Sequence, residues 1–373
     1  MSPAIDHMGR GSIVYQADPT ESGQTMYSSR RALLTSFLAA GAVTAAGCHQ
    51  RVGTPAIPHG LDQARLAEGF ARLAARALPA ILDLGVMTLD TGSLWCADGD
   101  RRFPMQDLFM APLAAAALAE VDAGRLRLNE TLRIGPGDLS PPPGRVNRLF
   151  AAAGSPASRD IPAADLIALA VQEGDNTAAD VIMRRIGGPG AVTAWLRALQ
   201  IMDMRVDRFE RELQLATTGL TQFQPEWRDP AAWDGARRSE PAQTREAAIK
   251  TYLQDPRDTT TVGAALTFLA QLSSGALLSK ASTALLIRLM TTSDTGRGRL
   301  AAGLPQGARL AHKSGASPTD LGLTPAINDF GLVTLGNGRR FAVAAFLQGS
   351  TATLAQSDSL IADAARLAVS ALI

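Results

Sequence analysis

The chain has 373 residues, of which 46% are hydrophobic and 19% are charged. These proportions fit a packed globular core and exclude global disorder. The formal net charge is +1, so no overall field favours nucleic acid or an anionic membrane surface as a partner. The four histidines and two cysteines form no cluster with metal-ligand spacing, and we expect neither a metal nor another cofactor.

The first part of the chain has the features of an export signal. Arg30 and Arg31 stand before an apolar run at 32–46, and paired arginines at that position are typical of twin-arginine export. The run of about 15 residues is too short to span a bilayer but suits a signal segment. We therefore predict a signal region at 1–47 and an extracytoplasmic location.

Cys48 follows three small residues, a pattern that resembles a lipoprotein cleavage box. We favour cleavage before Cys48 and acylation of its thiol, which would anchor the protein to the membrane. The alternative is a signal without lipid and an incidental cysteine. We interpret the segment at 48–60 as a short tether. We expect Cys96 to lie on a strand as a small hydrophobic side chain and to form no disulfide.

Hydrophobic periodicity predicts the elements that follow. The spacing switches from helix to strand near each end of the chain, with helices between. The predicted segments are a helix at 61–78, strands at 80–89 and 94–97 joined by a turn at 90–93, a buried helix at 105–123, a helical block at 161–199, helices at 260–272 and 279–291, strands at 309–313, 330–335 and 340–347, and a closing helix at 353–372.

These elements predict an α/β fold with two lobes. One antiparallel sheet is built from both chain ends and covered by the terminal helices, which gives an α/β lobe of 61–101 and 305–373 within a domain of 61–373. Residues 102–304 form an all-helical lobe, and a cleft between the lobes is the expected ligand site. Residues 214–254 predict a long inserted loop with one short helix at 244–253.

Four segments that contain candidate catalytic or ligand-binding side chains follow one another in a particular order. Phe103 to Met110 leads into the buried helix, Gly174-Asp175-Asn176 follows, then Glu210, then Lys313-Ser314-Gly315. In this order they resemble the site segments of class A β-lactamases and their penicillin-binding relatives, over essentially all of residues 60–373. The resemblance lacks the Ser-x-x-Lys motif, which is not present anywhere in the chain.

The resemblance assigns the catalytic positions of the family to four residues. Asp107 stands at the nucleophilic serine and Met110 at the lysine that activates it. Gly174 stands at the serine that passes a proton to the leaving nitrogen, and Glu210 matches the general base of deacylation. Three of these four groups are therefore replaced.

The resemblance also implies residues that hold a ligand or close a loop. The ligand would be a β-lactam or a peptidoglycan-like molecule, and its carboxylate would bind less well beside Asp107. Arg208 and Asp258 resemble the pair that closes the Ω-loop. The implied ligand-binding residues are Asp175, Asn176, Lys313, Ser314, Gly315, the backbone N–H of Ala316 and Arg299.

Several of these positions have a simpler interpretation. Asp107 at the start of a helix is most simply an N-cap rather than a replacement acid or nucleophile. Asp107, Asp175 and Glu210 would form a carboxylate cluster around Lys313, or Glu210 is a solvated loop acid and Asp175 makes a structural bond. Arg299 is most simply a surface charge.

Three functions follow from this sequence. We favour an inactive β-lactamase homologue that acts as an envelope binding or scaffold protein, because three catalytic groups are lost together. The alternative enzyme is a divergent hydrolase of β-lactams or another envelope amide or glycan, in which Asp107 or Glu210 activates water. The third is a structural envelope lipoprotein that binds a protein partner through residues 214–254.

Overall fold

The computed structural model describes residues 60–142, 144–151 and 157–373. The predicted export signal, Cys48 and the tether before Gly60 lie outside the described residues. Among the described residues, no helix has both the length and the apolar character needed to cross a membrane.

Helices make up most of the middle of the chain and cover both faces of a central sheet. They are α1 (Gln63–Ala77), α2 (Met110–Asp122), α3 (Arg145–Ala151), α4 (Ala163–Glu173), α5 (Asn176–Arg185), α6 (Pro189–Ala198), α7 (Glu210–Thr218), α8 (Pro230–Ser239), α9 (Ala242–Gln254), α10 (Val262–Ser274), α11 (Lys280–Thr291), α12 (Leu300–Gly303) and α13 (Leu354–Ser370).

The strands form one five-stranded sheet and two short pairs. The large sheet has the order β2-β1-β9-β8-β7, and all of its neighbours are antiparallel. The strands are β1 (Ile81–Thr88), β2 (Leu94–Cys96), β3 (Phe103–Pro104), β4 (Thr131–Ile134), β5 (Arg159–Pro162), β6 (Thr259–Thr260), β7 (Arg309–Ala316), β8 (Thr324–Thr334) and β9 (Arg340–Ser350).

The predicted fold class is confirmed, because one antiparallel sheet joins both chain ends beside a mainly helical lobe. The sequence did not predict the pairs β3–β6 and β4–β5, which add short strands to that lobe. Each pair has two to four residues in a strand, too few for an alternating pattern to stand out.

The two faces of the sheet pack against two different sets of helices. Along β9, Ala344 and Phe346 face the helical lobe, whereas Val343 and Ala345 face α1 and α13. Side chains of a strand alternate between faces, so a strand buried on both sides is apolar throughout. Lys313 lies on β7 at the edge of this sheet, where the sheet meets the helical lobe.

The helix that follows Asp107 starts later than the sequence analysis placed it. Residues 106–109 form a 3-10 turn, and α2 begins at Met110. Pro112 therefore lies in the first turn of α2, where its missing N–H costs no helical hydrogen bond.

The inserted segment is helical rather than a long loop. α7, α8 and α9 occupy most of residues 210–254, and the predicted helix at 244–253 lies inside α9. The loop prediction was wrong because α9 buries only Ile249 and Tyr252, too few apolar positions to give a clear helical period. The rings of Trp227 and Trp233 contact each other in a tilted arrangement, with centroids 5.8 Å apart, and connect α8 to the turn before it.

Candidate active site

Asp107 lies on the 3-10 turn at the floor of the site and is not an N-cap. Neither the turn nor α2 has a side-chain cap, and the residues that precede them are Met105 and Phe109. The N-cap prediction was wrong because the 3-10 turn places Asp107 inside a helical segment instead of before one. Asp107 as a whole residue is partly buried.

The turn that carries Asp107 is held in a strained shape. Gln106 has a φ of 50°, in the left-handed region that costs a non-glycine residue about 1–2 kcal/mol. Its amide Nε2 donates to the hydroxyl of Tyr252 on α9, and both residues are buried. The insertion therefore contributes one of the contacts that fix the position of Asp107.

Strand β7 approaches the same turn unusually closely. A Cβ atom on Gly315 would lie 2.6 Å from the Met105 carbonyl oxygen and 3.0 Å from the Asp107 nitrogen. Glycine is therefore required at 315 for packing. From β8, Asn328 Nδ2 donates to the carbonyl oxygens of Pro104 at 2.7 Å and Met105 at 3.3 Å.

Gly174 and Met110 complete the surroundings of Asp107. Gly174 ends α4 with a φ of 68°, and a Cβ atom there would lie 3.2 Å from Asp107 Oδ2 and 3.9 Å from Lys313 Nζ. Met110 is fully buried in the apolar core of the helical lobe. The site thus has neither a hydroxyl at 107 nor an amine at 110.

Lys313 is the buried cation of the site. Its ammonium group donates to the Ser314 carbonyl oxygen at 2.8 Å. Burial lowers the pKa of Lys313, and the charges of Asp107 and Asp329 oppose that shift. Burial likewise raises the pKa of Asp107, while Lys313 and Arg299 oppose the shift. The neighbouring Ser314 is buried and its Oγ donates to Thr295 Oγ1 at 2.9 Å.

Glu210 is fully buried, so the solvated-loop interpretation of this residue was wrong. It is the first residue of α7, and its backbone N–H donates to Asp180 Oδ1 at 2.6 Å. Its Oε1 accepts from Gln214 Nε2 at 2.5 Å, while its Oε2 has no partner among the residues that the structure describes. Burial, reinforced by the negative charge of Asp107, raises the pKa of Glu210 well above its ordinary value.

The carboxylates that act on Lys313 differ from the predicted set. Asp107 and Glu210 act on it, and the third is Asp329 rather than Asp175. Asp175 is the N-cap of α5: one oxygen accepts from the Ala178 N–H at 2.9 Å and the other from the Val146 N–H at 2.8 Å. Asp175 therefore makes a structural bond.

Asn176 and Ala316 flank this arrangement. Asn176 is buried and its Nδ2 donates to the Pro141 carbonyl oxygen at 2.9 Å. Ala316 is the last residue of β7 and is partly exposed. The amide of Asn176 thus holds the loop before α3 in place.

Arg299 is buried, and its interpretation as a surface charge was wrong. Its guanidinium group pairs with Asp358 at 2.8 Å and donates to the carbonyl oxygens of Gly315 at 3.1 Å and Asn328 at 3.0 Å. These bonds join β7 and β8 to α13. The sequence did not reveal them because they depend on side chains far apart in the chain.

Arg208 and Asp258 form a buried ion pair at 2.5 Å between Nε and Oδ2. Asp258 also accepts the backbone N–H groups of Asp207 and Arg208, at 2.7 and 3.1 Å. The pair ties the two ends of the segment that contains α7, α8 and α9.

Four supporting residues escaped the sequence analysis: Gln214, Asp180, Tyr252 and Asn328. No local pattern marked these residues, because their roles depend on which polar groups the fold brings beside them. The assembled site has an ionisable carboxyl at 107, a second carboxyl at 210 that favours its neutral form, and an ammonium group at 313. It can bind or move protons, and residue 107 has no hydroxyl that could act as a serine nucleophile.

Comparison with known proteins places this geometry in one family. The model of the Beta-lactamase enzyme family matches residues 65–372. The chain is 28% identical to β-lactamase VEB-1 of Pseudomonas aeruginosa over 271 residues, which cover 72% of this chain and 78% of that protein. It is 26% identical to the carbapenem-hydrolyzing β-lactamase KPC of Klebsiella oxytoca, over 82% of this chain and 89% of that one.

Solved structures give the same result. A β-lactamase from Chitinophaga pinensis superposes with a TM-score of 0.65 at 28% identity, covering 81% of this chain and 97% of that one. The last common ancestor of Gram-negative class A β-lactamases gives 0.65 at 32% identity, covering 82% and 98%. The chain belongs to the β-lactamase enzyme family and has the class A fold.

Proposed function

We propose that this protein is an exported β-lactamase homologue that binds a ligand or partner in the cell envelope without forming an acyl-enzyme. One feature supports the proposal: the family resemblance puts Asp107 at the nucleophile position and Met110, which is fully buried, at the position of the activating lysine. Acyl transfer to serine needs a hydroxyl and a nearby base, and this pair of residues supplies neither.

The loss of several groups at once strengthens the proposal. Members of a nucleophile–base unit act together, so losing one already removes most of the rate. Gly174 also lacks the hydroxyl that the family resemblance implies for proton transfer to the leaving group. Glu210 would have no role as the base of deacylation, because no acyl-enzyme would form.

The second candidate is a hydrolase that activates water directly. The unpartnered, buried Oε2 of Glu210 favours it, because an orphan carboxyl oxygen close to an ionisable neighbour is a place where water can bind. The raised pKa of Glu210 argues against it, because a neutral carboxyl is a poor base. If Glu210 is nonetheless the base, Glu210→Gln would abolish activity, whereas a mechanism with Asp107 as the base would be lost in Asp107→Asn.

The ligand class is part of the same proposal. A β-lactam or a peptidoglycan-like molecule would enter the cleft between the lobes, where Asp107 disfavours its carboxylate. Lys313 is already engaged by the Ser314 carbonyl oxygen, which reduces its availability to an anion. We therefore expect weaker binding of penicillins than a serine at 107 would allow.

A protein partner on residues 214–254 remains a second mode of action. Both α8 and α9 have exposed faces in that segment, and Arg238 on α8 is two-thirds exposed. The same segment supplies Gln214 and Tyr252 to the site, so removing it would disturb the site as well. Partner binding should therefore be tested with Arg238→Glu rather than with a deletion.

Export and anchoring belong to the proposal too. Arg30, Arg31 and Cys48 support twin-arginine export followed by lipid attachment. Metabolic labelling with an alkyne fatty acid should label the wild type and not Cys48→Ser. Labelling of both proteins would contradict the assignment of Cys48.

The test of the central proposal is intact-protein mass spectrometry with a fluorescent penicillin, alongside a chromogenic cephalosporin assay. The proposal expects no adduct and no turnover. A stable adduct would show that another residue acts as a nucleophile. Turnover without an adduct, lost in Glu210→Gln, would establish the water-activating hydrolase instead.

A further inference from the structure

A small cavity lies on the helical-lobe side of the large sheet, and neither Asp107 nor Lys313 is among the residues that line it. Its volume is about 210 Å³, and it opens between α11 and the ends of β7, β8 and β9. That volume is below the usual range for drug-sized ligands and far above the room needed by one water molecule. Its size limits an occupant to a small organic molecule.

The floor of the cavity is apolar. Leu89, Ile287, Ala311 and Leu332 line it. Ala311 and Leu332 are directly paired across β7 and β8, and the small side chain of Ala311 leaves the space open. An alkyl or aryl group would therefore be desolvated there.

Two arginines stand at the mouth of the cavity. Arg309 on β7 pairs with Thr334 on β8, and Thr334 pairs with Arg340 on β9. Residues paired across adjacent strands lie on the same face, so both arginines project to one side with backbones roughly 10 Å apart. The backbone is further fixed by the Leu89 N–H, which donates to the Arg340 carbonyl oxygen at 3.0 Å.

The charges of these arginines are not balanced locally. No aspartate or glutamate lines the cavity. Within the described part of the chain Arg309 has no ion-pair partner, and Arg340 donates to the neutral Ser273 Oγ at 2.5 Å. Two guanidinium groups of like charge beside an apolar cavity favour an anion at its mouth.

We propose that this cavity binds a small carboxylate with an apolar body. The carboxylate would lie between Arg309 and Arg340, and the alkyl or aryl part would contact Ala311 and Leu332. The site is separate from the cleft, so it does not depend on whether the protein hydrolyses β-lactams.

The test is isothermal titration of the folded protein with hexanoate and with hexanol, which share an apolar chain and differ in charge. We expect saturable hexanoate binding, with hexanol weaker by about tenfold or more, which corresponds to about 1.4 kcal/mol. No saturable binding of hexanoate, or equal affinity for hexanol, would overturn the proposal.

Three variants locate the binding. Arg309→Gln should weaken hexanoate by about tenfold, since one charge-assisted bond is lost. Ala311→Leu should abolish binding by filling the cavity, with the unfolding temperature measured to confirm that the variant folds. Arg133→Gln removes an exposed arginine of the helical lobe and should change nothing. Hexanoate binding that survives both Arg309→Gln and Ala311→Leu would place it elsewhere and contradict the proposal.

Discussion

Asp107 Oδ2 lies 3.2 Å from the point at which a Cβ atom on residue 174 would stand. A side chain at 174 would therefore collide with the Asp107 carboxylate, so the residue types at 107 and 174 are sterically coupled. These are two of the positions at which the family resemblance implies replaced catalytic groups.

We predict that Gly174→Ala destabilises the protein more in the wild type than in an Asp107→Ala background. The new methyl group meets the carboxylate in the first case and open space in the second, although the φ of 68° strains both. Urea unfolding of the four proteins in a double-mutant cycle should give a coupling energy of about 0.5–3 kcal/mol. If the two substitutions changed the free energy of unfolding additively, the contact between residues 107 and 174 would contribute nothing to stability.

We predict that acylation by penicillin needs three restorations together. Asp107→Ser supplies the hydroxyl, Met110→Lys the base and Gly174→Ser the second hydroxyl. The triple variant should form a penicillin adduct visible by intact mass, while each single variant stays at background because the groups act as a unit. An adduct with Asp107→Ser alone would mean that another base is already present.

We predict that Asp107→Asn lowers the pKa of Glu210. The negative charge of Asp107 is one of the causes that raise this pKa, and removing it leaves burial as the main cause. Carboxyl ¹³C NMR over a pH series measures the shift directly. Asp165→Asn is the matched control, since Asp165 is an exposed acid on α4. An unchanged Glu210 titration in Asp107→Asn would show that the two groups do not interact.

We predict that Asp83 makes the protein less stable as the pH rises. Burial raises its pKa from 3.8 to about 7, and its Oδ2 has no partner. Because the folded pKa is the higher one, the stabilising contribution is complete below 3.8 and is lost as the pH rises to about 7. The loss is at most about 4 kcal/mol.

Unfolding free energies between acid and neutral pH should therefore fall less in Asp83→Asn than in the wild type. Asp165→Asn should follow the wild type, because that carboxyl is exposed. A pH profile of Asp83→Asn identical to that of the wild type would contradict the assignment.

We predict that Tyr252→Phe destabilises the protein by about 1–3 kcal/mol, because the buried amide of Gln106 loses its partner. Gln106→Leu removes the other half of the contact, so the double variant should cost less than the sum. If the two substitutions lowered the free energy of unfolding in urea additively, the hydrogen bond between Gln106 and Tyr252 would not contribute to stability. A change in the Asp107 titration in Tyr252→Phe would show that α9 also positions the site.

The fold was predictable because its signals are local. Strand and helix periods at the chain ends placed β1, β9 and α13 to within a few residues, and Asn337-Gly338 marked the turn between β8 and β9. Motif order also identified Asp107, Glu210 and Lys313 as candidate site residues, and Lys313 lies on a strand, as expected. Those motifs are short segments whose spacing the fold preserves.

The rest depended on contacts that no local pattern encodes. Asp107 was expected to be an N-cap, but a 3-10 turn supported by Tyr252 puts it inside the helical segment. Arg299 and Glu210 were expected at the surface, but partners distant in sequence, such as Asp358 for Arg299, allow them to be buried. Charge alone does not reveal burial, since a buried charge depends on its partners.

The sheet has a consequence for how the chain reaches its final shape. β1 pairs along its whole length with β9, from Ile81 opposite Gln348 to Thr88 opposite Phe341. During synthesis, β1 therefore stays unpaired on this side, with its apolar residues exposed, until β9 near the end of the chain has left the ribosome. A chain that stops after β1 but before β9 lacks the strand that lies between β1 and β8, so a stop codon in that interval would give a product that exposes apolar strands and aggregates.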